Sequence, residues 1–498
     1  MIVHGEVQER ALEAAFDYVV IGSGAAGATV ARTLVDAGVS IAVLEEGPAV
    51  ETGEFGDRAF DTLGRLYRDG GTQTTRGRVV SPVIQGRVLG GSTVVNSAIM
   101  WRLPEDVWAE WDAERGLGQA VPLAQLHQRW DLIERELSVA PTPEEVWGEN
   151  NRLLGIGGSA LGVRTAPMRR AVAACRGSAR CQSGCPFGAK QSMALTYLPY
   201  AEGRGAVLLT GARAHQAVMR GDRAEGVEGT FATGSPFVLR AGKAVIVAAS
   251  AIQTPRLLQR SGVRSSHLGR HFQAHPGTAM VGVFDQPVGM WFGATQGYES
   301  DQHRRDGRFK VETIALTPEV LLATLPGVGR RWVGEMARAG HMAAWAIDLR
   351  AHAEGTVRDG RRGTVVRFVP ERRDVANLKR GLRFIADLFF AAGAREVLPG
   401  VHGLPDRLVG PDQARLVESG PDDPRAYSFV LSHLFGTARM SGRPQDGVVD
   451  TDFAVHGTRN LYVVDSSVFP TNIGVNPQLS IMGIAMLAAE RIGDHTAA

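Results

Sequence analysis

Tyr18, Val19, Val20 and Ile21 follow Asp17 as an unbroken apolar run that stops at Gly22. A short continuous run of this kind predicts a strand buried on both faces. Past the glycines at 22, 24 and 27, apolar residues return with helical spacing over Ala28–Ala37, and Gly38 closes them. Val39–Leu44 predicts a second buried strand, which ends at Glu45. Strand, glycine turn, helix, strand and acid fit within about 30 residues, the size of one βαβ unit.

Later patterning is more varied. Leu208–Thr210, Ala217–Val218 and Gly226–Val227, around the turn Gly221-Asp222, predict short antiparallel strands. Ala244–Ala249 predicts another fully apolar strand that runs into Ser250–Leu258, with Pro255 expected near a helix start. From about Gly277 to Gly410 the texture changes, with a polar loop at Glu299–Arg308, a Trp/Met-rich stretch from Met290 to Trp345, and a helical pattern over Asp374–Ala392. The end is compact again: Leu461–Val464 reads as a strand, Asp465-Ser466-Ser467 as a polar turn and Pro477–Ile492 as a helix.

Composition narrows the class. With 498 residues, 44% hydrophobic and 21% charged, the chain is an ordinary globular sequence long enough for a large core. Lysine occurs only at 190, 243, 310 and 379, so arginine supplies nearly all of the 54 basic residues. The 52 acidic residues are interspersed with them and the net charge is +2, which argues against a nucleic-acid footprint. Three cysteines do not suit a disulfide-stapled secreted domain. The N-terminus lacks the basic and apolar regions of a signal peptide, and no apolar run reaches the ~18 residues of a membrane span. A cytoplasmic, soluble protein is the expectation. The 61 glycines are the departure, since average usage is about 7%.

Part of that excess has a chemical reading. In Gly22-Ser23-Gly24-Ala25-Ala26-Gly27, Gly22 permits a tight turn, Gly24 lets backbone approach a pyrophosphate, and Gly27 lets the helix pack on the strand. The helix N-terminus then presents free N–H groups to the phosphates. Glu45, 23 residues after Gly22, can bind both ribose hydroxyls. This pattern alone leaves NAD and FAD open. A second cluster, Gly86 through Asn96, places Gly90, Gly91 and Ser92 in a loop rich in exposed N–H groups. Two such loops serve one dinucleotide better than either alone.

These segments, in this order, resemble the glucose–methanol–choline (GMC) oxidoreductases. The family's first signature is similar to Gly86–Arg102, and its second to Ser250–Val263, where Arg264 stands in place of the usual closing glycine. Asn460–Ser467 resembles the family's C-terminal cofactor-contacting strand and turn. The resemblance implies an α/β protein. A Rossmann-like FAD domain would be built from residues 11–105, 195–276 and 411–498. Residues 106–194 would connect to and cover the cofactor, and 277–410 would form an α+β substrate domain with an antiparallel sheet and helices. It also implies FAD contacts from Ala214, Asp465, Asn476 and Pro477.

The catalytic expectation follows from the same resemblance. Ser432-His433-Leu434-Phe435-Gly436-Thr437 and Asn472–Pro477 match the two active-site segments, with His433 as base and Asn476 as its partner. Alcohol oxidation removes a hydride from carbon and a proton from oxygen, and a histidine base contributes about 10²–10⁴ in rate. An asparagine amide donates to the oxygen as charge develops. His275 is assigned a structural role. The implied partners are a small-molecule alcohol and either O2 or a separate redox protein as electron acceptor. A redox-silent lyase on an FAD scaffold and a dehydrogenase subunit acting on a sugar or sugar acid are the alternatives.

Cys175, Cys181 and Cys185 leave three readings open: a metal site completed by a histidine, a local disulfide, or free thiols in a rigid loop like that of long-chain alcohol oxidases. Trp291, Phe292, Trp332 and Trp345, with Met290, Met336 and Met342, suit either an apolar substrate lining or ordinary core. Leu321, Leu322, Leu325, Val328 and Trp332 suggest a lid or a patch docking on a membrane surface, although Pro326 and the two glycines beside Val328 interrupt any long helix.

Overall fold

The structure is a computed structural model that describes residues 1–361 and 363–497. Its two largest cores lie around two large sheets.

The first sheet is parallel at its centre. Ile2–His4, Val207–Thr210, Ile41–Leu44, Leu12–Ile21 and Pro236–Val247 lie side by side in that order. Val19, Val20, Ile41, Val43, Val245 and Ile246 are fully buried, as the unbroken apolar runs require. The long Pro236–Val247 strand changes partner along its length. Its first half pairs antiparallel with Arg223–Phe231, and its last three residues pair parallel with Leu461–Val463. The hairpin Ala212–Arg220 and Arg223–Phe231 turns at Gly221-Asp222 as expected. Val207–Thr210 does not join it: this strand enters parallel between Ile2–His4 and Ile41–Leu44. Helix Ala25–Val35 packs against the C-terminal helix Gln478–Ala497.

Pro255 lies in the middle of helix Ser250–Arg260, not at its start. A proline there leaves the carbonyl four residues earlier without its helical donor. That carbonyl, Ala251 O, accepts instead from Thr437 Oγ1 at 2.6 Å.

The second sheet is antiparallel throughout, in the order Leu408–Val409, Glu396–Leu398, Gln273–Val283, Met342–Leu349, Phe309–Thr313, Tyr298–Ser300, Ala166–Pro167. Val430–Phe435 pairs with the first half of Gln273–Val283. The sheet therefore draws strands from outside residues 277–410. Helices Gly148–Leu161 and Arg372–Ala391 cover one face. There Trp345 is fully buried and stacks on Phe389, with ring centroids 3.8 Å apart and planes 6° from parallel. Met290 and Met342 belong to the same core, and Phe292 is exposed. The Trp/Met stretch is therefore packing, and the substrate-side wall is made otherwise. No helix of the described residues is long and apolar enough to cross a membrane.

Candidate active site

A cavity of about 930 Å³ runs from the carboxyl ends of the parallel strands to the uncovered face of the antiparallel sheet. At its nucleotide end, the wall holds Gly22, Ser23, Gly24, Glu45, Gly91, Ser92, Asn96 and Ala214. Gly22 has φ of 105°, and a Cβ there would collide with the Ala248 carbonyl. A Cβ on Gly24 would meet no protein atom within 4 Å. Gly27 and Gly90 stand behind the wall. Gly27 packs against the Gly22 carbonyl, and Gly90 sits against Ala194. Both serve close approach of backbone to backbone.

Ser23 ties this end together. Its Oγ accepts from Gly90 N at 2.9 Å and donates to Glu45 at 2.5 Å, joining the two glycine clusters and the acid. Glu45 also accepts from Gly47 N at 2.8 Å, and burial pushes its carboxyl up against these hydrogen bonds. Asp465 accepts from Ser250 N, Thr254 Oγ1 and Ser467 N, fixing the turn after Leu461–Val463. Asn96 donates to Gln478 at 2.6 Å, beside Pro477 on the cavity wall.

Beneath the second glycine loop lies Lys190, wholly buried. Its ammonium donates to Asn96 O at 2.9 Å, to Cys181 O at 2.6 Å and to Val94 O. Burial lowers its pKa to about 8. The three cysteines are free thiols. Cys181 Sγ takes a hydrogen bond from Arg170 at 3.1 Å. Burial opposes ionisation there, but Arg170 and Lys190 together hold this thiol below its ordinary value.

The other end of the cavity is built by strand register. Five adjacent strands carry a polar row: Glu299, then Lys310 and Glu312, then Asp348, then His275, then His433. Lys310 lies opposite Asp348, and Glu299 opposite Glu312. At His275 the ladder has a bulge, one residue facing Ser432 and His433 on the partner strand. Asn476 enters from the loop before the C-terminal helix and accepts from Lys310 Nζ at 2.8 Å. Lys310 also meets Glu299 at 2.6 Å and Glu312 at 2.5 Å. His433 Nδ1 lies 3.1 Å from His275 Nδ1 and 3.7 Å from Asp348 Oδ2. His275, Asp348 and His433 bring potential ligand atoms within 4.8 Å of one another.

The electrostatics follow from burial and this row. Burial alone would neutralise both Lys310 and Glu312, but Glu299 and then Glu312 hold the lysine above its usual value, and the lysine holds the Glu312 carboxyl below its own. Asp348 is pushed well up by burial and by neighbouring Glu312. His433 falls to about 4, because burial and then Lys310 disfavour its cation. Around the row the wall is aliphatic: Val281, Ile314, Leu316, Val320, Ile347 and Leu434. Val320 comes from helix Pro318–Thr324, whose Leu321 is buried and anchors it. Val328, in the same expected lid, is 86% exposed.

The chain matches the profile of GMC oxidoreductases over residues 16–277 and again over 352–485. It belongs to the GMC oxidoreductase family. An uncharacterized GMC-type oxidoreductase of Mycobacterium tuberculosis is 37% identical over 477 residues, covering 95% of this chain and 75% of that protein. A long-chain-alcohol oxidase of Arabidopsis thaliana is 26% identical over 498 residues, covering 94% of this chain and 67% of its own length. Among solved structures, a formate oxidase of Aspergillus oryzae superposes with a TM-score of 0.73 at 17% identity, covering 97% of this chain and 99% of that one. That likeness shows the fold.

GMC oxidoreductases bind FAD. The cavity fits a dinucleotide of this kind. Gln85 Oε1, Ser97 Oγ and Gln253 Nε2 are buried in wall residues without a hydrogen-bond partner, which a polar ligand would supply. Gly22, Gly24 and Glu45 would hold the adenosine and pyrophosphate part, with Gly91, Ser92 and Asn96 beyond them.

The structure brings His433 and Asn476 together at one site, as the sequence suggests, and adds Glu312, Lys310, Asp348 and His275, which the sequence did not place there; His275 touches His433. One signal was present. Lys310 and Glu312 stand at i and i+2 of Phe309–Thr313, so they share one face of a strand that is buried throughout.

Proposed function

We propose that this chain oxidises the hydroxyl-bearing carbon of an apolar, aliphatic alcohol. When bound, FAD supplies the two-electron acceptor. The observation that carries this reading is the polar row of His433, Asn476 and Glu312 where the glycine-lined cavity opens into aliphatic walls. The walls bury an alkyl chain, while the row offers polar groups that take its hydroxyl. His433 and Asn476 bind the alcohol oxygen and keep it oriented. Electron return to O2 or to a separate redox protein belongs to the same proposal. The aliphatic walls favour an alkyl substrate over a sugar, and a relative named a long-chain-alcohol oxidase, 26% identical, supports that reading.

The test is an anaerobic titration of the FAD-loaded protein with fatty alcohols, sterols, aromatic alcohols, sugars and aminoglycosides, following loss of flavin absorbance. Fastest reduction by a straight-chain alcohol is the expected result. Reduction only by sugars would overturn the substrate class, and no reduction by any alcohol would overturn the reaction.

A further inference from the structure

Two buried cations beneath the second glycine loop have no carboxylate to balance them. Lys190 is 2% exposed, and its Nζ donates to three carbonyls, those of Val94, Asn96 and Cys181. An ammonium has three hydrogens and a neutral amine two, so this set of acceptors requires the charged form. Arg170, equally buried, donates from Nε to Ser97 O at 3.0 Å and from Nη2 to Cys181 Sγ at 3.1 Å. Its guanidinium carries a fixed charge. None of these acceptors is a carboxylate, and among the described residues neither cation forms an ion pair with Asp or Glu. Buried charge is costly unless it is paired. The groups beside Lys190 that can supply the negative charge are the thiols of Cys181 and Cys185. Of these, Cys181 meets both cations, with its sulfur on Arg170 and its carbonyl on Lys190. Thr295 Oγ1 fixes the backbone there, accepting from Cys181 N at 3.1 Å. The Cys181 side chain is half-buried, so reagents in solution reach it. The sulfurs of Cys175, Cys181 and Cys185 do not gather within ligand distance of one another.

We propose that Cys181 is held as a thiolate, the counter-ion of Arg170 and Lys190, and is a modification site at which a hydroperoxide reacts and loosens the cofactor loop. The thiolate is the nucleophilic form of cysteine. Its sulfur attacks one peroxide oxygen, the S–O bond forms, and the O–O bond breaks with its electron pair. The departing hydroxide or alkoxide takes a proton from solvent. The sulfur is thereby oxidised to a sulfenic acid, and the peroxide is reduced to water or an alcohol. The loop is coupled to this sulfur through both cations. Val94 O, Asn96 O and Ser97 O rest on Lys190 and Arg170, and Val95, Asn96 and Ser97 also line the cavity. An oxygen added to the sulfur replaces a bare anion with a larger, neutral group. Both cations then lose their partner, and the loop loses its support.

The experiment treats the FAD-loaded protein briefly with iodoacetamide and reads each thiol by mass spectrometry. Cys181 should react at a rate that stays roughly level from about pH 6.5 to 8, whereas a thiol of ordinary pKa, about 8.5, speeds up by more than about tenfold. Such a rise at Cys181, or no reaction there while Cys175 is modified, overturns the proposal. Hydrogen peroxide should place a dimedone-trapped sulfenic acid on Cys181. In a parallel sample without dimedone it should lower the flavin retained after gel filtration by about half or more, and dithiothreitol with added FAD should restore it. Trapping on another cysteine alone, or an unchanged flavin content, overturns the proposal. Cys181→Asp keeps a negative charge and should hold FAD in the presence of peroxide. Cys181→Ala strands both cations and should lose FAD without peroxide. Equal retention in these two variants overturns the counter-ion role. If neither variant folds, the iodoacetamide and peroxide results on the native protein decide. Iron or zinc that co-purifies with the protein and is lost in Cys181→Asp also overturns it, since the sulfur would then be a metal ligand.

Discussion

The two sheets that meet at the cavity do their work by opposite means. The parallel sheet is apolar in its interior and meets the ligand with backbone, through turns whose defining feature is a missing side chain. The antiparallel sheet meets it with side chains, five strands each adding charged or titratable groups to one row. Changes on the first side should therefore act by steric exclusion and be nearly all-or-none. Changes on the second should act through charge and depend on pH.

The strongest break of that contrast is Gly27→Leu. Its Cβ would meet the Gly22 carbonyl and Ala248, so the protein is expected to retain essentially no FAD after gel filtration, at any pH. Full flavin content would sink the close-approach account. Next is Lys310→Met, which leaves Glu299 and Glu312 buried without their cation. Breaking such a pair costs about 3–5 kcal/mol, read from denaturant unfolding near neutral pH. The cost should shrink toward pH 5 as the carboxylates take up protons, and a pH-independent loss would count against a charge effect.

His433 supplies the third test. Its folded pKa of about 4 lies below the usual unfolded value, so its contribution is complete above pH ~6.5. As pH falls through that value toward 4, only the unfolded chain gains the proton, and roughly 3 kcal/mol of stability is lost. His275 acts in the same direction. In the apoprotein, His433→Gln should flatten the slope between pH 6.5 and 4, and an unchanged slope would assign it elsewhere. The smallest effect is expected from Trp345→Phe. It loses the bond from Nε1 to Asn150 O and some packing, about 1 kcal/mol, with the KM for alcohol unchanged. A shifted KM would return Trp345 to the substrate wall.

The contrast also explains what could be read from the chain. Gly22, Gly24 and Glu45 announce a nucleotide turn because the turn, the helix and the second strand are neighbours in sequence. Glu312, Asp348, His275 and His433 become neighbours only through the pairing of strands far apart in the chain, and register leaves little mark on the sequence. His275 meets residue 433 only through strand pairing, a contact that its own stretch of sequence does not show. Leu208–Thr210 was misread for a related reason: its apolar pattern shows burial but not direction. Pro255 misled because its cost is met by Thr437, nearly two hundred residues on.

The pairing of Leu461–Val463 with Val245–Val247 has a consequence for the order in which the molecule is made. These strands are 216 residues apart, as Val245 against Leu461 shows. At 5–20 residues per second, a ribosome needs roughly 10–40 s to travel between them. For that interval the parallel sheet waits with one edge bare, and Asp465 and Asn476 have not yet emerged. The nascent chain is thus expected to depend on chaperone cover over this interval, and to close its cofactor site only after residues 461–476 emerge.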